Sequence, residues 1–187
     1  MRQSTHAPGR HRQARAAGIA LASLALVVGA GALPANADYY SGGMPGRSFA
    51  VKPVGINDTW IGFLDTARGN WNSAGAGASI TRSSSAAATF TAGRYSASWF
   101  GLYSPSGIRG INRTFQIQVN ARTLQESAGS NFTAWILSTC THELGHALSL
   151  ADNPNTTSSS LMKHSRNRTT VQKPQSYDVS EVKRIYG

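Results

Sequence analysis

Two hydrophobic periodicities take turns along this chain, and together they outline its elements before any chemistry is considered. Phe49, Val51 and Val54 mark a short extended run. Behind it Trp60, Phe63, Leu64, Ala67 and Trp71 recur at helical spacing, which predicts a helix over residues 59–72, with Asp58 as its cap and Trp71 as a core anchor. From there to residue 130 the pattern turns β-prone, with runs at 78–82, 87–91, 96–103 and 114–120 separated by Ser, Gly and Pro. A sheet follows from that. Ile136, Cys140, Leu144, Ala147 and Ala151 then fall on one stripe, about 80° wide at roughly 100° per residue, and predict a second helix. Asp178 and Glu181 have capping-box spacing for a last helix that turns Val179, Val182 and Ile185 inward. The segments 153–160 and 163–176 read as polar loops, and the Ser- and Ala-rich run 83–88 as an exposed one.

The first 37 residues have a different character. Arg2, Arg10, Arg12 and Arg15 precede an apolar run from Ala16 to Leu33, and Ala35-Asn36-Ala37 fits an A-x-A cleavage site, so 1–37 reads as a secretory signal peptide. A membrane anchor would need a longer unbroken apolar span. The expected product is a secreted, extracellular protein of one domain over 38–187. Within it, 38–47 reads as a flexible N-terminus, 48–150 as an upper sheet and helix subdomain and 151–187 as a lower one.

Charge and cysteine narrow the function. Four of the 18 Lys and Arg residues lie in the leader, which leaves 14 against 8 acidic residues. The remaining positive charge is scattered among Ser, Thr and Gly, and only Lys163, Arg166 and Arg168 approach a cluster. That argues against a nucleic-acid partner, which a basic stripe with interleaved aromatics would signal. Cys140 is the sole cysteine, so no internal disulfide can form, and it lies on the apolar stripe as a buried small residue.

The second helix carries the chemistry. His142 and His146 are four residues apart, about one turn, and point about 140° from the centre of the apolar stripe, so both imidazoles can face one metal ion. Glu143 flanks that face and can hold a water without being a ligand. Asp152 follows six residues after His146, and Met162 ten later in Ser160-Leu161-Met162.

These residues together resemble the metzincins, zinc peptidases whose helix reads His-Glu-x-x-His-x-x-Gly-x-x-(His/Asp) and is followed by a Met-containing turn. Asp152 in the third position is most similar to the snapalysin group of small secreted bacterial proteases, while the ending, with Pro174, Tyr177-Asp178 and Ile185-Tyr186-Gly187, resembles the matrixin C-terminal helix. The resemblance runs from about Asn120 to the C-terminus. It implies an α+β fold with a twisted, mainly parallel β-sheet, two packed helices, an active-site helix, a Met-turn and a C-terminal helix.

For chemistry, the resemblance implies one catalytic Zn2+ held by His142, His146 and Asp152, with Glu143 as general base in peptide hydrolysis and Met162 packed beneath the ligands. Ca2+ is possible in such folds but not indicated here. His164, two residues after Met162, stands where some metzincins place a mobile Tyr, so it is either an oxyanion stabiliser, a substitute ligand or a surface histidine; Tyr177 is a weaker candidate for that role. The implied partners are protein or peptide substrates met by a monomer, with no stable membrane insertion. An edge strand over 96–103, with Trp99, Phe100 and Tyr103, would line the cleft by β-augmentation, unless those rings complete the core. Residues 163–176 would form a wall of the pocket for the residue after the scissile bond.

Ser149 departs from the pattern: it stands where the family has Gly, at a left-handed bend. Two other readings therefore stay open. One is a zinc peptidase with Glu181 or His164 as third ligand. The other is a non-catalytic secreted zinc-containing binding module.

Overall fold

The structure is a computed structural model that describes residues 38–187; the expected leader 1–37 and its expected cleavage site lie outside the described residues. Five strands form one sheet, in the order β2-β1-β3-β5-β4. They are β1 (Ser48–Pro53), β2 (Ser79–Arg82), β3 (Thr89–Gly93), β4 (Gly101–Ser106) and β5 (Thr114–Asn120). All pairings are parallel except that of β4, which runs antiparallel to β5 as the outermost strand on its side. The expected α+β layout with a mainly parallel sheet is thus the observed one.

The described residues also form four α-helices: α1 (Asp58–Ser73), α2 (Ala121–Ala128) and α3 (Phe132–Ala147), which contact the sheet, and α4 (Ser176–Tyr186). The central one is α3, in which every residue from Ser138 to Ala147 is buried. It is covered on several sides at once, so the single apolar stripe understates it. Trp71 joins α1 to it: the indole is fully buried, and its Nε1–H donates to the Thr141 carbonyl at 2.8 Å. Truncation of Trp71 to Ala should cost about 3–5 kcal/mol, from the cavity and the stranded carbonyl together. Denaturant unfolding would read this as a lower midpoint.

Several sequence expectations shift in register. Asn57 rather than Asp58 caps α1, its Oδ1 accepting from Trp60 N–H. For α4 the capping box is Gln175 with Asp178, three residues earlier than the pair Asp178 and Glu181. Residues 96–100 do not join the sheet. Buried Asn120 donates to the carbonyls of Tyr95 and Ala97, and the Arg122 guanidinium takes those of Tyr95, Ser96 and Ala97, so carbonyls that a strand would need are already bonded.

The segment 38–47, expected to be flexible, is pinned instead. Tyr39 bridges Leu150, Tyr40 N–H donates to Ser149 O, and Met44 N–H donates to Ala147 O, both at 2.8 Å. Ala151 N–H returns a bond to Asp38 O. Gly43 makes the approach possible, because any Cβ there would overlap Ser149. Backbone pairing that spans the whole domain is invisible to a local composition of Gly, Ser and Pro.

Candidate metal centre

His142 and His146 project from the last turns of α3 with their rings 4.8 Å apart. Each Nδ1 lies against a backbone carbonyl, His142 with Leu161 O at 3.0 Å and His146 with Leu150 O at 2.9 Å. A carbonyl only accepts, so each Nδ1 carries the proton and each Nε2 of the neutral ring presents a lone pair. Asp152 meets those lone pairs. Its Oδ1 lies 3.0 Å from His142 Nε2, 3.5 Å from His146 Nε2 and 3.0 Å from His164 Nε2.

Such a cluster is not self-sufficient. Protonating the two helix histidines would turn these contacts into ion pairs, but burial opposes it: desolvation, with the Arg166 charge behind it, holds His142 down at about 3, and desolvation lowers His146 as well. Asp152, with its side chain 42% exposed, is an ordinary carboxylate and is ionised at neutral pH. Neutral Nε2 atoms and an ionised carboxylate oxygen converging on one point make a donor set that could hold a cation. Nitrogen and oxygen donors of this kind suit zinc.

The third donor arrives through a left-handed turn. Ser149 has φ 62°, the bend that the sequence pattern requires at this position. Its cost, about 1–2 kcal/mol for a residue with a Cβ, is offset locally: Ser149 is fully buried, and its Oγ bonds both Arg109 Nη1 and Tyr186 Oη at 2.9 Å. Asn153 is also left-handed, at φ 48°, and its side chain holds His164 by the backbone N–H and by Nδ1.

Under the histidines lies the turn of Ser160, Leu161 and Met162. Buried Asp178 clamps it, accepting from Ser160 Oγ at 2.6 Å and from Leu161 N–H at 2.8 Å. Leu161 in turn orients His142, so an α4 side chain acts on the site through one backbone link. Met162 is buried against Gly145, where an added Cβ would come within 2.5 Å of Sδ. Gly145→Ala should therefore displace this turn and weaken metal binding, which a competition titration against a chelator would measure. Replacing helical Gly by Ala at an open position would instead stabilise.

A cleft of about 630 Å³ opens over these groups. Trp99, Phe100 and Tyr103 all line it, while Tyr103 is also buried in the core, so both readings of these rings hold in part. Strand β4 passes so close to Glu143 that a Cβ on Gly101 would overlap the carboxylate. Desolvation first, and Asp152 second, push Glu143 up to about 8.

Other candidates are elsewhere. Glu181 pairs with Arg184 at 2.5 Å and is no part of the cluster. The Tyr177 hydroxyl donates to Asp38, away from the histidines. Cys140 is fully buried and desolvation raises its thiol pKa, which makes it inert packing. The structure adds residues that motif reading did not single out. Tyr40 packs edge-on against His146 with ring centroids 5.6 Å apart, and Arg166 and Arg168 line the cleft. The only advance signal was the basic grouping at 163–168.

No known family model and no curated protein matches this sequence. Solved structures do match its fold. A chain of the "GM1 bound form of the ECX AB5 holotoxin" superposes with a TM-score of 0.56 at 14% identity, covering 79% of this chain and 84% of that one. Myroilysin gives 0.47 at 14% identity, covering 81% and 96%. Archaemetzincin from Methanopyrus kandleri gives 0.45 at 13% identity, covering 76% and 95%. At these identities the likeness is one of fold.

Proposed function

We propose that this chain is a secreted zinc endopeptidase, exported by its leader 1–37, whose domain 38–187 divides at the cleft into parts 48–150 and 151–187. One observation carries the reading: two Nδ1-anchored imidazoles and an ionised Asp152 converge with no proton available to bridge them. His142, His146 and Asp152 would hold the ion. Zinc bound there supplies a Lewis acid for the peptide carbonyl and acidifies a water.

The chain's own groups do the rest. Glu143, beside the ligands and facing the cleft, accepts the water's proton and passes it to the departing amine. The outer edge of β4 pairs with an extended peptide as an added strand, so the backbone fixes register and side-chain pockets choose the sequence. Asp178, through Leu161, and Met162, beneath Gly145, keep the ligands in place without touching substrate.

His164 supports a second version of the ligand set. Its Nε2 is as close to Asp152 Oδ1 as that of His142, and His142, Asp152 and His164 offer ligand atoms all within 4.8 Å of one another. On that version His164 joins or replaces a helix histidine at the ion. A binding module without catalysis would have no use for the buried carboxyl of Glu143 at the cleft. The deciding measurement is metal stoichiometry on the purified protein beside casein digestion with and without chelator. One zinc per chain and chelator-sensitive digestion are expected; metal without digestion would favour the binding module.

A further inference from the structure

Beside the metal centre the cleft presents two guanidinium groups that have no carboxylate partner among the described residues and a buried hydroxyl without a hydrogen-bond partner. Arg166 is only 9% exposed, its Nε donating to Ser138 Oγ and its Nη1 to Lys163 O, so it is rigidly placed. Arg168 is half-buried with its Cζ 4.9 Å from the Phe100 ring centroid and 5.3 Å from that of Trp135. Two aromatic faces hold it, and its single hydrogen bond, from Nη1 to His164 O, is long at 3.3 Å. Its buried Nε has no partner.

Thr139, one turn before His142 on α3, is 1% exposed and lines the same cleft, and its Oγ1 also lacks a partner. Among the described residues neither arginine forms an ion pair with a carboxylate; Glu143, Asp152 and Asp178 act on Arg166 only from a distance. A buried hydroxyl without a partner and rigid, half-desolvated guanidinium groups are costly to a protein unless a ligand completes them. The planar, two-pronged acceptor that guanidinium groups fit is a carboxylate.

We infer that Arg166, Arg168 and Thr139 form a carboxylate-binding subsite, which makes the cleft selective for peptides carrying an acidic group next to the bond at the metal centre. The inference deepens the peptidase reading and rests on it for the word "substrate", although the subsite itself can be tested without catalysis. The acidic group is either a Glu or Asp side chain or the free C-terminus of a peptide. Aromatic walls at Phe100 and Trp135 exclude water from the arginine and strengthen the contact.

The test has a binding arm and a cleavage arm. Metal-free protein would be titrated with acetylated, amidated Leu-Glu-Leu and Leu-Gln-Leu, and with the free-acid form of the second, read by tryptophan fluorescence. A charge-assisted pair predicts roughly 10- to 100-fold tighter binding of the carboxylate peptides. Arg168→Gln and Thr139→Val should each shrink that ratio; two variants are used so that one folding failure does not decide the matter. The side-chain and terminal carboxylates are separated by which of the two peptides gains.

In the second arm a peptide library is digested and the residues flanking the cut bonds are read by mass spectrometry, with enrichment of Asp and Glu over Asn and Gln expected and lost in Arg168→Gln. Equal affinity for the acid and amide peptides, or a preference that both variants retain, would overturn the subsite. If the acid peptides bind selectively but nothing is cleaved, the peptidase reading fails and the subsite stands.

Discussion

Glu143→Ala is expected to leave the metal content unchanged and to cut peptide hydrolysis by roughly 10²- to 10⁴-fold, the range over which a positioned general base acts. The residue sits between the two helix histidines in sequence yet belongs to neither their tautomer network nor the Asp152 cluster. Its surroundings fit a base rather than a ligand. In the metal-free protein desolvation and the Asp152 charge raise its pKa to about 8, so the carboxyl binds a proton more tightly than an exposed carboxylate does.

The raised pKa has a sign that can be checked in metal-free protein. Between the ordinary value of 4.5 and about 8, the folded state holds a proton on Glu143 that the unfolded state has released. Its contribution to stability is therefore fully present below about 4.5 and is lost as pH rises through about 8. Below about 6.5 the lowered His142 and His146 act in the opposite direction, so thermal midpoints of chelated protein should fall between about 6.5 and 8, and Glu143→Gln should flatten that part of the slope. A bound cation pulls the pKa down, so loaded protein should show less of the effect. Substantial hydrolysis by metal-loaded Glu143→Ala would sink the proposed role, and loss of metal would make Glu143 a ligand.

What could be read from the sequence was what depends on near neighbours along the chain. A four-residue histidine spacing needs only a helix, and the left-handed turn at Ser149 was implied by the resemblance, whose pattern has Gly at that position. Strand runs at β1, β2, β3 and β5 were legible for the same reason. Hidden features were those decided by distant partners. Nothing near Ser149 indicates that Arg109 and Tyr186 will satisfy its hydroxyl, nor that Gly43 will press against it. Of the run 96–103 only 101–103 entered β4; its first half was kept out of the sheet by Asn120 and Arg122, which bond the carbonyls of Tyr95 and Ala97 from more than 20 residues away. Asp178 was legible as a cap, but not as the clamp of the turn that orients His142, because that role appears only once Ser160 and Leu161 are folded against α4.

Asp152 is where local pattern and long-range packing meet, and its removal should have the largest effect on the metal. Outer-shell losses typically cost roughly 10- to 100-fold in affinity, and Asp152→Ala should exceed that, since it takes away the one charged donor. Asp152→His should keep the ion and move the activity profile to lower pH, because a neutral imidazole leaves the ion a stronger Lewis acid than a carboxylate does. His164→Ala discriminates between the ligand sets: an unchanged affinity assigns His164 to Asn153 and the cleft wall, a loss as large as that of Asp152→Ala assigns it to the ion. Ser149→Gly completes the set. It would relieve about 1–2 kcal/mol of backbone strain while deleting two hydrogen bonds of about 0.5–1.5 kcal/mol each, so net stability should change little. Metal affinity should stay at the parent level, since the turn keeps its shape. A marked loss of affinity in Ser149→Gly, measured by the same chelator competition, would mean that the Arg109 and Tyr186 contacts, rather than the turn itself, deliver Asp152 to the site.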